Sequence, residues 1–245
     1  MRMAPRAAAW VAWVEWICNR AIARGSAARS DRLRSKKSGL RPALSFAKEA
    51  SVKFYWRKNT RAFRIAWLLE EAQVGYERIV VDEALKNTAE FRAVSPMGKV
   101  PALEDGPARL SDSGAICIYI ADQYPQSRLG PPVGHPDRAR FLQWVTYTNS
   151  VIEPAMLEKL AKLESKPSSF GWGSFELMLT TLRTELAKGA WILGGTFCAA
   201  DVLIGTSAFY LKQFGLIGDD AVIGAYVERC KSRTAWQRAQ SFDAN

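Results

Sequence analysis

The chain has 245 residues, 48% of them hydrophobic, and a formal net charge of +10. That apolar fraction can fill one large core or two small ones, and no run reaches the about 18 uncharged apolar residues that a membrane span needs. The charge is confined to one end: residues 1–48 carry 11 Lys+Arg against 2 Asp+Glu, and the remainder carries 23 against 22. The bulk of the chain therefore lacks the basic footprint of a nucleic-acid binder.

Residues 1–51 read as a basic leader, disordered or not native. Trp10, Trp13, Val14, Ile17 and Ala21 recur at helical spacing, with Arg20 and Arg24 after them, and a Ser/Arg/Lys-rich stretch follows to Arg41. Such a segment suits an interfacial basic helix, with membrane contact through residues 10–24, or an organellar transit peptide. The favoured reading is a misplaced start. Val52 opens the first regular element, valine can be encoded by the alternative start codon GTG, and Lys48-Glu49 by the ribosome-binding sequence AAGGAG just upstream.

From Val52 the pattern runs strand, helix, strand, helix, strand, strand, helix. Residues 52–56 form the first strand, and 61–74 an amphipathic helix whose apolar face is Phe63, Ala66, Trp67, Leu68 and Leu69. Residues 76–81 have the composition of a buried strand, and 85–93 make a short helical turn or helix. Strands at 101–103 and near Arg109-Leu110 flank a Gly106-Pro107 turn, and 114–124 form the next helix. This is the order of a thioredoxin-like domain. Residues 125–136 are rich in proline and glycine and read as a linker. Beyond it everything is helical: 137–164 with a bend near Pro154, then 175–188, 199–214, 219–230 and 234–240. The expected domains are 52–124, mixed, and 137–245, all helical.

The stretch Ser95-Pro96-Met97-Gly98-Lys99-Val100-Pro101-Ala102-Leu103, followed by Asp112-Ser113-Gly114-Ala115-Ile116, is the most informative in the chain. Proline lacks a backbone N–H, so Pro101 belongs where an extended chain enters a sheet edge, and X-Pro bonds are the ones that tolerate cis geometry. A cis bond would leave the Val100 N–H and C=O turned outward for a peptide laid alongside. Asp112 or Ser113 can cap the following helix, whose first turn offers unpaired N–H groups to a carboxylate. Asp112 is then available for an ammonium group. The alternative is an ordinary edge strand with a capped helix.

From Val52 to the C-terminus the chain resembles the glutathione transferases. In that family the residue before a cis-proline pairs with the cysteine backbone of glutathione, and an acid-Ser pair eleven residues after the proline holds the γ-glutamyl end. The resemblance assigns glutathione binding to Val100, Pro101, Asp112 and Ser113, and places Lys99 where some classes bind the glycine carboxylate. It implies an α/β thioredoxin-like N-terminal domain followed by an all-α C-terminal domain, with glutathione as co-substrate, a small electrophile or peroxide as partner, and a cytoplasmic homodimer. A Ser or Thr caps a buried helix in the family, with Asp three residues on. Here the pair is Cys198 and Asp201, and the thiol is the weaker cap.

Glutathione chemistry requires the thiolate. The family stabilises it with a Tyr, Ser or Cys after the first strand, and the usual serine falls at Arg57 in this sequence. Three substitutes remain open: the Thr60 hydroxyl, the Asn59 amide or the Arg57 charge. Arg57, Lys58 and Arg61 crowd the positive end of a helix, which favours a bound anion there or side chains turned to water. Tyr55 is expected to face away from the site. No cysteine lies in this segment, and Cys18, Cys117, Cys198 and Cys230, with His135 as the one histidine, do not have zinc-site spacing. The electrophile pocket is expected along the long helix, at Arg140, Trp144, Tyr147 and Thr148, although the same spacing suits plain helix packing. A non-catalytic binding, scaffold or regulatory protein that kept the fold is the rival reading.

Overall fold

A computed structural model describes residues 52–244, and the readings of residues 1–51, the helix at 10–24 included, lie outside the described residues. Four strands form a mixed sheet: β1 (Val52–Trp56), β2 (Tyr76–Val80), β3 (Ala102–Asp105) and β4 (Ala108–Ser111), in the order β2-β1-β3-β4. β1 and β2 are parallel, joined through a helix, while β1–β3 and β3–β4 are antiparallel. Side chains alternate across the sheet as the strand period requires. Phe54 and Leu103 face the main core, and Tyr55 and Ala102 face a smaller cluster with Phe91 and Val94.

Helix α1 (Ala62–Ala72) joins β1 to β2, α2 (Ala89–Val94) precedes the cis-proline loop, and α3 (Ser113–Gln123) follows β4. The sequence pattern predicts one apolar face for α1, but nine of its eleven residues are buried. The reason is that helices pack on it from the side away from the sheet. The two remaining residues, Glu70 and Glu71, are partly exposed. Glu71 takes a forked pair from Arg233 at 2.5 and 2.7 Å, and Glu70 accepts from Arg238 at 2.6 Å. Both arginines belong to the last stretch of chain.

Two expectations on this half are corrected. The second strand is an exposed edge rather than a buried strand, with Val80 57% exposed, because only β1 pairs with it. The short helical turn or helix expected at 85–93 is two elements rather than one. A 3-10 turn at Leu85–Asn87 ends at Thr88, whose extended backbone starts α2 afresh and whose Oγ1 accepts from the Phe91 N–H at 3.2 Å.

The proline-rich stretch contains a single 3-10 turn, Pro125–Ser127, and the Ala199 N–H donates to the Leu129 carbonyl at 2.7 Å. The long helical segment beyond it has three parts. α4 (Arg138–Tyr147) passes into a π turn (Thr148–Ile152), and α5 (Glu153–Ala161) continues with Pro154 in its first turn. The irregularity thus precedes Pro154, and the helix stops at a left-handed Lys162 rather than at 164. α6 (Phe175–Leu186), α7 (Ala199–Gln213), α8 (Ala221–Lys231) and α9 (Thr234–Ala244) complete the chain. α7 is buried along most of its length and sits centrally among the helices. At its start the Cys198 N–H donates to Asp201 at 2.9 Å, and Asp201 also accepts from the Ile192 N–H at 2.8 Å and the Tyr226 hydroxyl at 2.7 Å. The Cys198 thiol lies 3.4 Å from the same carboxylate. The carboxylate, not the thiol, organises this helix start.

The main core joins sheet and helices through aromatic contacts. Trp67 of α1 meets Trp236 of α9 edge-on at 4.7 Å, and Phe63 meets the same ring at 4.8 Å. These contacts fix where α1 begins, and hence where the loop after β1 lies.

Candidate functional site at the cis-proline end of the sheet

The strand register gathers the predicted residues. Tyr55 is opposite Ala102, and Ala102 is opposite Ser111. One step beyond each ladder, the chain of Pro101 runs beside Trp56 on one side and Asp112 on the other. The loop after β1, the Val100-Pro101 bond and the start of α3 therefore share one end of the sheet.

The Val100-Pro101 peptide is cis. Among the described residues no hydrogen bond uses the Val100 N–H or C=O, and pairing with β1 begins only at Ala102. The loop before it is tightly held. Ser95 Oγ donates to the Lys99 carbonyl at 2.8 Å and accepts from the Lys99 N–H at 3.0 Å. Gly98 takes a φ of +62°, a left-handed conformation that favours glycine, and a Cβ there would displace the Arg92 guanidinium. The Arg92 guanidinium donates in turn to the carbonyls of Lys86 and Pro96.

Asp112 is the N-cap of α3. Its Oδ1 accepts from the Gly114 N–H at 2.8 Å and the Ala115 N–H at 3.2 Å. Its φ of +100° is a strained conformation for a residue with a side chain, of the kind that clusters at functional sites. The carboxylate is exposed on one side. On the other it receives Asn149 Nδ2, 3.0 Å from Oδ1 and 2.9 Å from Oδ2. Ser113, the first helical residue, is buried.

The loop after β1 shows what could face a thiol. Thr60 Oγ1 donates to the Arg57 carbonyl at 2.6 Å and accepts from the Ala62 N–H at 3.2 Å, so its hydroxyl serves the turn and the helix start. Asn59 is exposed at the left-handed turn position, with φ +57°. Arg57 pairs with Glu83 at 2.6 Å on the surface, with side chains 45% and 65% exposed. Tyr55 donates to Glu104, away from this loop, and burial followed by that hydrogen bond pushes its hydroxyl well above the usual tyrosine range.

Beneath the loop lies a charge network. Arg64, 2% exposed, donates through Nη1 to Glu153 at 2.5 Å and through Nη2 to Ser207 at 2.9 Å. Arg61, one turn earlier, reaches the other Glu153 oxygen at 3.0 Å. Burial would raise the Glu153 carboxyl, but Arg64 and Arg61 outweigh it and hold the group below its usual range. Cation crowding at the start of α1 is thus partly answered by an anion of the protein itself.

The four residues predicted for an electrophile pocket are not brought together as a wall. Trp144 and Thr148 are 4% and 0% exposed and belong to the core with Phe141 and Val145, the i, i+3, i+4, i+7 stripe of an ordinary packed helix. Tyr147 is half-buried, with its hydroxyl 3.3 Å from the Met178 carbonyl, and Arg140 pairs with Glu185 at the surface. A cleft of about 500 Å³ lies elsewhere, between α5 and α6, lined by Glu158, Lys159, Lys162, Leu163, Phe175 and Glu176 among others. None of the predicted site residues lines it.

Sequence reasoning missed Asn149, Glu153 and Ser207. The one available signal was Arg64, a charge set among the apolar residues of a helix that packs against the sheet.

Comparison with known proteins agrees with this geometry. The model for the glutathione S-transferase N-terminal domain matches residues 50–122. Glutathione S-transferase Z2 of Arabidopsis thaliana is 36% identical over 175 residues, 65% of this chain and 78% of that protein. Glutathione S-transferase GstB of Escherichia coli K12 is 28% identical over 174 residues, 66% and 84% of the two chains. Among solved structures, a glutathione transferase from Methylococcus capsulatus superposes with a TM-score of 0.67 at 28% identity, covering 79% of this chain and 99% of that one. A sphingomonad glutathione S-transferase complexed with glutathione gives 0.64 at 28% identity, covering 78% and 98%. With its sheet, its helical region and its cis-proline loop in this arrangement, the chain belongs to the glutathione transferase family.

Proposed function

We propose that this protein binds glutathione at the cis-proline end of its sheet and activates the thiol. Attack on a small electrophile forms a sulfur–carbon bond while the leaving group departs with its electron pair and the thiol proton passes to solvent. With a peroxide, two glutathione molecules yield the disulfide, one alcohol and one water. The observation that carries the reading is the unpaired main chain of Val100 beside the Asp112-capped start of α3. The Val100 N–H and C=O can add the cysteine backbone as a strand. The α3 N-terminus and Ser113 suit the γ-glutamyl carboxylate, and Asp112 suits its ammonium. Lys99 is the candidate for the glycine carboxylate. On this reading residues 52–124 hold glutathione, 125–136 are the linker, and 137–245 close the site. The family likeness extends it to a cytoplasmic homodimer acting on electrophiles in detoxification.

Lowering a thiol pKa by two units takes about 2.7 kcal/mol of preferential thiolate stabilisation. Thr60 already spends its proton on the Arg57 carbonyl. Arg57 and Asn59 are the better donors, because an exposed ion pair such as Arg57–Glu83 is weak and easily exchanged. A titration with glutathione at neutral pH, read by thiolate ultraviolet absorbance and followed by an electrophile and peroxide panel, tests this. A thiolate signal lost in Arg57→Ala or Asn59→Ala supports it. The second reading, a non-catalytic binding protein, is favoured by one observation, the arginine standing where the family's serine is expected. Binding with no thiolate signal and no turnover would establish it.

A further inference from the structure

The turn Thr148–Ile152 is the one π segment among the described residues, and such segments are rare and frequently lie at functional sites. Its residues divide by face. Thr148 and Ile152 are fully buried. Asn149 and Glu153, also four apart, form the adjoining stripe and are both partly exposed. That stripe reaches both helix starts at the cis-proline end: Asn149 touches Asp112 at the head of α3, and Glu153 pairs with Arg61 and Arg64 at the head of α1. Thr148 continues the buried α4 stripe of Phe141, Trp144 and Val145, so Asn149, about 100° further round, stands at the edge of that face, where it reaches Asp112. Gly114 completes the fit. A Cβ there would lie 3.3 Å from Asn149 Nδ2 and 3.3 Å from Asp112 Oδ1, tighter than ordinary contact.

The Asp112 carboxylate is consequently held from three sides. Oδ1 takes the Gly114 and Ala115 N–H groups and Asn149, while Oδ2 takes only Asn149. A carboxylate oxygen can accept more than one hydrogen bond, so Oδ2 of the exposed Asp112 can take a further donor. We propose that Asn149 is a positioning residue for ammonium recognition: its forked hydrogen bond fixes the Asp112 carboxylate so that Oδ2 faces the α-ammonium group of the ligand. This rests on the glutathione reading given above. Asn149 itself touches no reacting atom.

The test is calorimetry on the full chain with two ligands, glutathione and glutaryl-cysteinylglycine, the same peptide without its α-ammonium group. Asn149→Ala should weaken glutathione binding about tenfold, the scale of a lost charge-assisted hydrogen bond, and leave the deaminated analogue unchanged. In an Asp112→Asn background the same change should add nothing further. A melting curve like that of the parent identifies a folded variant, and Asn149→Ser serves as the second substitution if the alanine variant melts early. Equal loss for both ligands, or no loss for either, overturns the positioning role. Absence of glutathione binding by the parent protein is a different failure: it overturns the binding reading, and the positioning role with it.

Discussion

Arg64 and Glu153 meet at 2.5 Å across the contact between α1 and the start of α5, and Arg64 is almost wholly enclosed. Removing one member of a buried pair strands the other, which costs about 3–5 kcal/mol. Arg61 still faces Glu153, so Arg64→Met is expected at the lower end, about 3 kcal/mol. Urea unfolding of the variant beside the parent measures it.

The same pair predicts an acid dependence. The Glu153 carboxyl is held low in the folded state by its two arginines against the opposing effect of burial. A depressed folded pKa gives stability that is full above the unfolded value, about 4.3, and is lost as pH falls through the folded value. The urea midpoint of Glu153→Gln should therefore trail the parent at pH 7, and the gap should close in acid below that value. A gap that is constant with pH would contradict this.

At the start of α7 the hydroxyl cap is replaced by Cys198 while Asp201 is kept. Cys198→Ser restores a stronger acceptor for the helix N–H groups, with an expected gain of about 0.5–1 kcal/mol. Asp201→Ala should lose about 3 kcal/mol or more, since it leaves the Tyr226 hydroxyl and two buried N–H groups without their acceptor. Thermal unfolding of both variants checks the pair of signs.

Thr60 and Arg57 should separate in their effects. Thr60→Val removes the acceptor for the Ala62 N–H and should cost about 1 kcal/mol of stability with little change in bound thiolate. Arg57→Ala loses only an exposed ion pair, so its stability should stay close to that of the parent, while the thiolate signal falls. Unfolding curves and ultraviolet difference spectra on the same two variants decide it.

Much of this was legible in the sequence because it depends on local chemistry. Val100-Pro101 announced the cis-proline loop, Asp112 the cap, and the apolar spacing most of the helices. The failures lie where tertiary packing overrides local pattern. Residues 76–81 have buried-strand composition yet supply an edge strand, because strand order is not written in any one strand. Trp144 and Thr148 looked suited to a pocket, yet α4 turns them into the core. Asn149 and Glu153 could not be found from spacing, since their partners Asp112, Arg61 and Arg64 are distant in sequence and only the tertiary fold brings them together.

The central claim is that the cis-proline end of the sheet holds glutathione through Asp112. Calorimetry of the full chain and of Asp112→Asn tests it most directly, because asparagine keeps one oxygen for capping α3 while it removes the charge and the second acceptor. The account predicts glutathione binding by the parent and affinity at least about tenfold lower in the variant, as for a lost charge-assisted contact. Equal affinity in the two proteins, or no binding by the parent at millimolar glutathione, would contradict it.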